Sequence, residues 1–153
     1  MDRYFQCITQ VALVVKDRDA TVARYREIMG LEPFLLCATP RLPGRRFHGI
    51  EEDFEVKAAV YHLKNGVDLE VLEPSRGHSV WQEFLDRHGD GLHHLMFDVD
   101  DLDEFEKYMA SKGIGVAQSG PSQEAGKRWV YFDSYEELGF YVEAKTKGKE
   151  PRL

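Results

Sequence analysis

The chain has 153 residues, 42% hydrophobic and 31% charged, a balance that excludes a disordered or membrane-embedded protein and suits one domain or two small fused modules. A net charge of -7 argues against nucleic acid as the main partner, because phosphate binding requires a clustered basic surface. No apolar run reaches spanning length and the opening MDRYFQCITQ lacks the regions of a secretory signal, so a cytoplasmic protein with no membrane partner is expected.

Two cysteines, Cys7 and Cys37, make no disulfide framework and are expected to stay reduced, Cys7 as a small core residue of a strand. Residues 10–17 read Q-V-A-L-V-V-K-D, a period-two strand with Val11, Leu13 and Val15 on one face and Gln10, Ala12 and Val14 on the other. A helix follows to about Met29, with Asp19 as its expected cap, Val22, Tyr25, Ile28 and Met29 as its apolar stripe, and Gly30 as its stop. Short strands are expected near residues 33–37, 56–63 and 68–72, the last two joined by a Lys64-Asn65-Gly66 turn. Residues 38–55 form a long connection containing Pro, Gly and the cations Arg41, Arg45 and Arg46, a length that is usually functional or mobile. A short helix at residues 79–88 gathers Val80, Trp81, Phe84 and Leu85 on one side.

The pattern then repeats. Residues 94–101 read H-L-M-F-D-V-D-D, a helix starts at Asp101 or Asp103 with Leu102, Phe105 and Met109 inward, and Gly113 stops it. Strands are expected near residues 115–118, 128–132 and 140–145, with a polar turn at 133–139 and a frayed tail from Thr146. Each half therefore reads β-α-β-β-β. The expected fold is α+β: two tandem modules, residues 1–74 and 91–145, linked by residues 75–90, with 146–153 as a tail. The paired half-sheets should form an open, barrel-like trough with helices on its outer face. Exposed sheet edges in so small a unit suggest a homodimer.

Inward positions of such a trough should be apolar, yet Gln10, Glu70, His94 and Glu143 are strong ligand types. Gln10 and His94 occupy one position of the repeat, and Glu70 and Glu143 another. Buried unpaired carboxylates cost several kcal/mol each unless they share a cation. Two carboxylates, an amide and an imidazole suit a divalent Zn, Ni, Co or Mn ion with a position left open for substrate. His93 should point away, because successive strand side chains alternate. His48, His62, His78 and His88 read as surface residues. Lys127 and Arg128, together with Arg45 and Arg46, are the candidate anchors for a small anionic substrate.

Gly91–Val99 followed by Asp100 and Asp101 (GLHHLMFDVDD), LEVLEP from Leu69 and GKRWVYF from Gly126 resemble the vicinal oxygen chelate superfamily, most closely its methylmalonyl-CoA epimerase branch. The resemblance spans about residues 7 to 145. It implies paired βαβββ modules, mostly dimeric assembly, and metal ligands at Gln10, Glu70, His94 and Glu143. The order Gln, Glu, His, Glu is similar to the ligand set of eukaryotic-type glyoxalase I, and it disfavours an extradiol dioxygenase or a fosfomycin-type transferase. The resemblance implies proton removal next to a carbonyl or thioester through an enediolate stabilised by the metal, with Glu143 first and Glu70 second as base; Asp53 falls near another carboxylate implicated in the epimerases. Three activities follow from it: an acyl-thioester epimerase, a glyoxalase I-like lyase, or a non-catalytic drug-binding protein of the same fold.

Overall fold

A computed structural model of the chain describes residues 4–39 and 42–146; Arg41 and the tail beyond Thr146 lie outside the described residues. Two strands, β1 (Ile8–Val14) and β7 (Gly91–Val99), pair antiparallel at the middle of one curled ten-stranded sheet. The first half adds α1 (Arg18–Met29), β2 (Leu35–Ala38), the short β3 (Arg46–Phe47) and β4 (Ile50–Glu51), then β5 (Glu55–His62) and β6 (Asp68–Arg76). After α2 (Val80–His88), the second half adds α3 (Leu102–Ser111), β8 (Val116–Pro121), β9 (Arg128–Phe132), α4 (Tyr135–Leu138) and β10 (Tyr141–Thr146). The sheet order β2-β5-β6-β1-β7-β10-β9-β8-β3-β4 places two βαβββ halves side by side, as expected.

The register carries the repeat to single residues. β6 runs parallel to β1 with Glu70 opposite Ala12, and β10 runs parallel to β7 with Glu143 opposite Met96. Ala12 and Met96 hold equivalent places in the two copies, so both glutamates enter the concave face at matching depth. The helix caps repeat as well. Asp17 and Asp101, both in extended backbone, accept from the amides of Ala20 and Glu104, satisfying one orphan donor in each first turn. Asp19, the expected first cap, lies inside the first turn of α1 and pairs with Arg18 at 2.8 Å.

Helices α1 and α3 cover the outer face. Val22 of α1 packs with Ala59, Tyr61 and Val71, whereas Ile28 and Met29 are 77% and 46% exposed, so the stripe is narrower than its sequence spacing suggests. Leu102, Phe105 and Met109 of α3 meet Val130, Phe132, Val142 and Ala144. Helix α2 departs from the expected outer position: its Val80, Trp81 and Phe84 pack with Val14, Leu72, Tyr131 and Tyr141 and plug the trough itself. The long 38–55 connection also has a structural role. It makes the β3–β4 hairpin, whose His48 and Gly49 both take positive φ as a tight two-residue turn requires, and β3 pairs with β8 of the other half. Cys7 precedes β1 and is exposed, not a core residue. The polar turn near residue 135 contains α4.

Strand alternation fails at one place that matters. Ala12 pairs with His94 and Leu13 with Leu92, so His93 is an extra residue on β7, a β-bulge. The bulge turns His93 inward, beside His94, contrary to the alternation expected from the sequence; both imidazoles are essentially fully buried.

Gly77, between β6 and α2, has φ +75, and a Cβ there would lie 2.6 Å from the Asp53 carbonyl oxygen. Gly30, at φ +65, has open space around it. Urea unfolding should therefore show Gly77→Ala destabilised by about 2–5 kcal/mol, combining left-handed backbone strain with overpacking, and Gly30→Ala by only about 1–2 kcal/mol. Equal losses would contradict this packing of the loop.

Candidate metal centre

The four ligand-type residues occupy four neighbouring strands, Glu70 on β6, Gln10 on β1, His94 on β7 and Glu143 on β10. They meet. The Gln10 amide nitrogen donates to Glu70 Oε2 at 2.7 Å, and its Oε1 lies 3.1 Å from His94 Nε2. Glu143 Oε2 lies 3.0 Å from the same nitrogen. Gln10, His94 and Glu143 are buried, and Glu70 is half-buried at the end of the row.

Oxygen acceptors surround His94 Nε2 on two sides, so positive charge, a proton or a metal ion, is required among them. Glu143 Oε2 is buried and accepts no well-directed hydrogen bond from the protein. Among the described residues no three His, Cys, Asp or Glu side chains form a cage by themselves, and it is the Gln10 amide that bridges Glu70 to His94. Three oxygen donors and one imidazole nitrogen suit a hard-to-borderline divalent ion, and the orphaned Glu143 oxygen is a vacant donor for one. The residues present fit the group.

The two carboxylates are electrostatically unequal. Burial pushes Glu70 up to about 7; His94 pulls the other way and the nearby Glu143 charge adds to the rise. Burial also disfavours ionised Glu143, but pairing with His94, helped by Lys145 and Tyr131, holds its pKa below the usual carboxylate range. Tyr131 stands edge-on to the His94 ring at 4.9 Å with its hydroxyl 3.5 Å from Nε2. Burial first, then the glutamate charges, raises its pKa well above that of a free phenol, so it remains a donor. His93 is driven well below the usual imidazole range by burial and by His94, and is therefore neutral.

The expected substrate cations lie elsewhere. Lys127 pairs with Glu124 at 2.8 Å. Arg128 bridges Asp103 at 2.6 Å and Glu106 on α3. Arg45 is buried, donating to the Phe54 carbonyl at 2.6 Å and lying over the Phe54 ring, and Arg46 donates to the Gly49 carbonyl. Arg46 and Arg128 line one surface cavity of about 210 Å³, and Arg45 and Asp53 another of about 200 Å³; neither includes the four central residues. Asp53 is committed to Arg76 at 3.0 Å. His48, His62, His78 and His88 are exposed. Sequence reading missed three residues of the centre: His93, re-aimed by the bulge, Tyr131, and Lys145. The last two share the inward parity of Glu143, through the Glu143–Tyr131 pairing and the i+2 spacing on β10.

This chain belongs to the Glyoxalase/Bleomycin resistance protein/Dioxygenase superfamily, whose pattern it matches over residues 9–132. It is 30% identical over 101 residues to the uncharacterized protein YqjC of Bacillus subtilis (strain 168), covering 65% of this chain and 71% of that one. Its fold matches hypothetical protein BH1468 from Bacillus halodurans C-125 with a TM-score of 0.69 at 17% identity, covering 96% and 98% of the two chains. It also matches a Streptomyces coelicolor methylmalonyl-CoA epimerase, bound to 2-nitronate-propionyl-CoA, with a TM-score of 0.64 at 25% identity, covering 92% and 96%.

Below pH 7 Glu70 of the chelated protein carries a proton that an arriving cation must displace. Zn²⁺ titrated into weakly buffered protein should release close to one proton at pH 6 and markedly less at pH 8, with one ion bound per chain. His94→Ala should abolish tight binding. Absence of both uptake and proton release would remove the metal centre.

Proposed function

We propose that this protein is a divalent-metal-dependent isomerase that moves a proton α to a carbonyl or thioester, as a methylmalonyl-CoA epimerase does. The observation that carries the reading is the pair of carboxylates at equivalent places of the two halves, one on either side of Gln10 and His94. Glu143, paired with His94, is the base; Glu70, whose burial favours its protonated form up to about pH 7, becomes the acid once substrate takes its place in the ligand set and it picks up a proton. A divalent ion held by Gln10, Glu70, His94 and Glu143 would supply Lewis-acid polarisation of the substrate carbonyl.

Glu143 takes the α-proton from one face of the substrate, and the C–H electron pair moves into the adjacent carbonyl. Glu70, off the ligand set and protonated, gives its proton to the opposite face of the same carbon as the electron pair returns from the carbonyl oxygen, which inverts the centre. Tyr131, kept protonated by burial, holds the Glu143 carboxylate in place. The α2 plug, with Trp81 and Phe84, keeps that end of the trough dry, which strengthens each of these interactions.

A second reading has its own support. The order Gln10, Glu70, His94, Glu143 matches the ligand order of glyoxalase I, and the same base and acid would serve a lactoylglutathione lyase. The two are separated by incubating the metal-loaded protein with racemic methylmalonyl-CoA, and with methylglyoxal plus glutathione, in deuterated water. Deuterium incorporation at the α-carbon of the acyl-CoA is the expected result; turnover of the hemithioacetal alone would select the lyase.

Among the described residues no helix is long and apolar enough to cross a membrane, and Cys7 and Cys37 are unpaired, which supports a cytoplasmic site of action. A homodimer belongs to the same reading: the sheet ends at β2, where Phe34, Leu35 and Leu36 are exposed beside an unpaired edge. Sedimentation at micromolar concentration should give twice the chain mass, and a monomer would remove that part.

Metal-replete Glu143→Gln should lose about 10²–10⁴-fold in turnover, because an amide oxygen keeps the coordination but cannot take a proton. Near-normal turnover and deuterium exchange in that variant would transfer the role of base to Glu70.

A further inference from the structure

His93 belongs neither to the ligand set nor to the proton-transfer pair, yet it is completely buried at the middle of the sheet. A bulge, which costs a paired position in the ladder, brings it there. Aromatic neighbours hold its ring: Tyr141 stacks on it at 4.6 Å and Phe84 meets it edge-on at 5.1 Å. Both of its nitrogens have partners. Nε2 lies 3.2 Å from the Val80 carbonyl oxygen, and Nδ1 lies 2.8 Å from His94 Nδ1.

Proton bookkeeping over these contacts has one solution. A carbonyl only accepts, so the His93 hydrogen sits on Nε2. A 2.8 Å separation between two ring nitrogens needs one hydrogen between them, and with His93 already the donor to Val80, that hydrogen belongs to His94 Nδ1. We propose that His93 is a positioning residue that locks His94 with a hydrogen on Nδ1, leaving Nε2 to the proton or metal ion that its neighbours Gln10 Oε1 and Glu143 Oε2 require. The carbonyl that anchors this relay is Val80, the first residue of α2, so the helix that plugs the trough also orients the ligand. Partners of this kind, which hold the far nitrogen of a ligating imidazole, typically contribute 10–100-fold to metal affinity.

The consequence for affinity rests on the metal centre described above, but the tautomer is a property of the chelated protein alone. Long-range ¹H–¹⁵N spectra of the imidazoles should therefore show His93 with hydrogen on Nε2 and His94 with hydrogen on Nδ1, in chelated and Zn²⁺-loaded protein alike. A His94 that carries its hydrogen only on Nε2 would overturn the proposal. Competition against a chromophoric chelator should show Zn²⁺ bound 10–100-fold more weakly by His93→Leu, with His93→Asn, whose amide oxygen can accept from Nδ1–H, recovering to within a few-fold. A folded His93→Leu variant with unchanged affinity would also overturn it. Should that variant fail to fold, the spectra decide. Wild-type protein that takes up no Zn²⁺ would refute the metal centre, and the tautomer lock would then stand or fall on the chelated spectrum.

Discussion

Burying two carboxylates, an amide and an imidazole in one small space requires positive charge among them. An unpaired carboxylate in such a place costs several kcal/mol, far more than one or two good contacts return. Glu143 Oε2 faces a ring nitrogen and receives no well-directed hydrogen bond, while Glu70 is kept from ionising up to about pH 7. A cation resolves both conditions together. The rest of the architecture can be read as the means of holding four donors where such an ion relieves that cost.

Those means are the pseudo-symmetric central strands. Because β6 runs beside β1 as β10 runs beside β7, with the same offset, each half delivers one glutamate at the same depth. The antiparallel β1–β7 pair then sets Gln10 and His94 between them. Separate cores under α1 and α3 fix each half from outside, and α2 closes the trough from within. Close packing of this kind has low compressibility, so the donor positions are rigid before any ligand arrives.

Much of this was legible in the sequence because it follows from periodicity. Alternation on β1 and β7, the two Gly-stopped helices and the duplicated positions of Gln10/His94 and Glu70/Glu143 predicted the halves, their pairing and the four converging side chains. What escaped has identifiable causes. A bulge adds one residue without a composition signal, so simple alternation puts His93 on the wrong face. Asp17 and Asp19 are both plausible caps, and only the extended backbone at Asp17 decides between them. The ion pairs of Lys127 and Arg128 and the carbonyl contacts of Arg45 and Arg46 depend on tertiary neighbours such as Asp103, Glu106 and Phe54 that no local pattern reveals. Lys145 and Tyr131 were hidden in strands read only for their apolar alternation.

The central claim is that one divalent ion belongs among Gln10, Glu70, His94 and Glu143. Anomalous diffraction from crystals grown with Zn²⁺ tests it most directly. A single strong peak is expected at roughly 2.0–2.2 Å from His94 Nε2 and from oxygens of Glu143, Glu70 and Gln10. Peaks confined to surface groups such as His62 and Asp68, with the central four still joined only to one another, would contradict it.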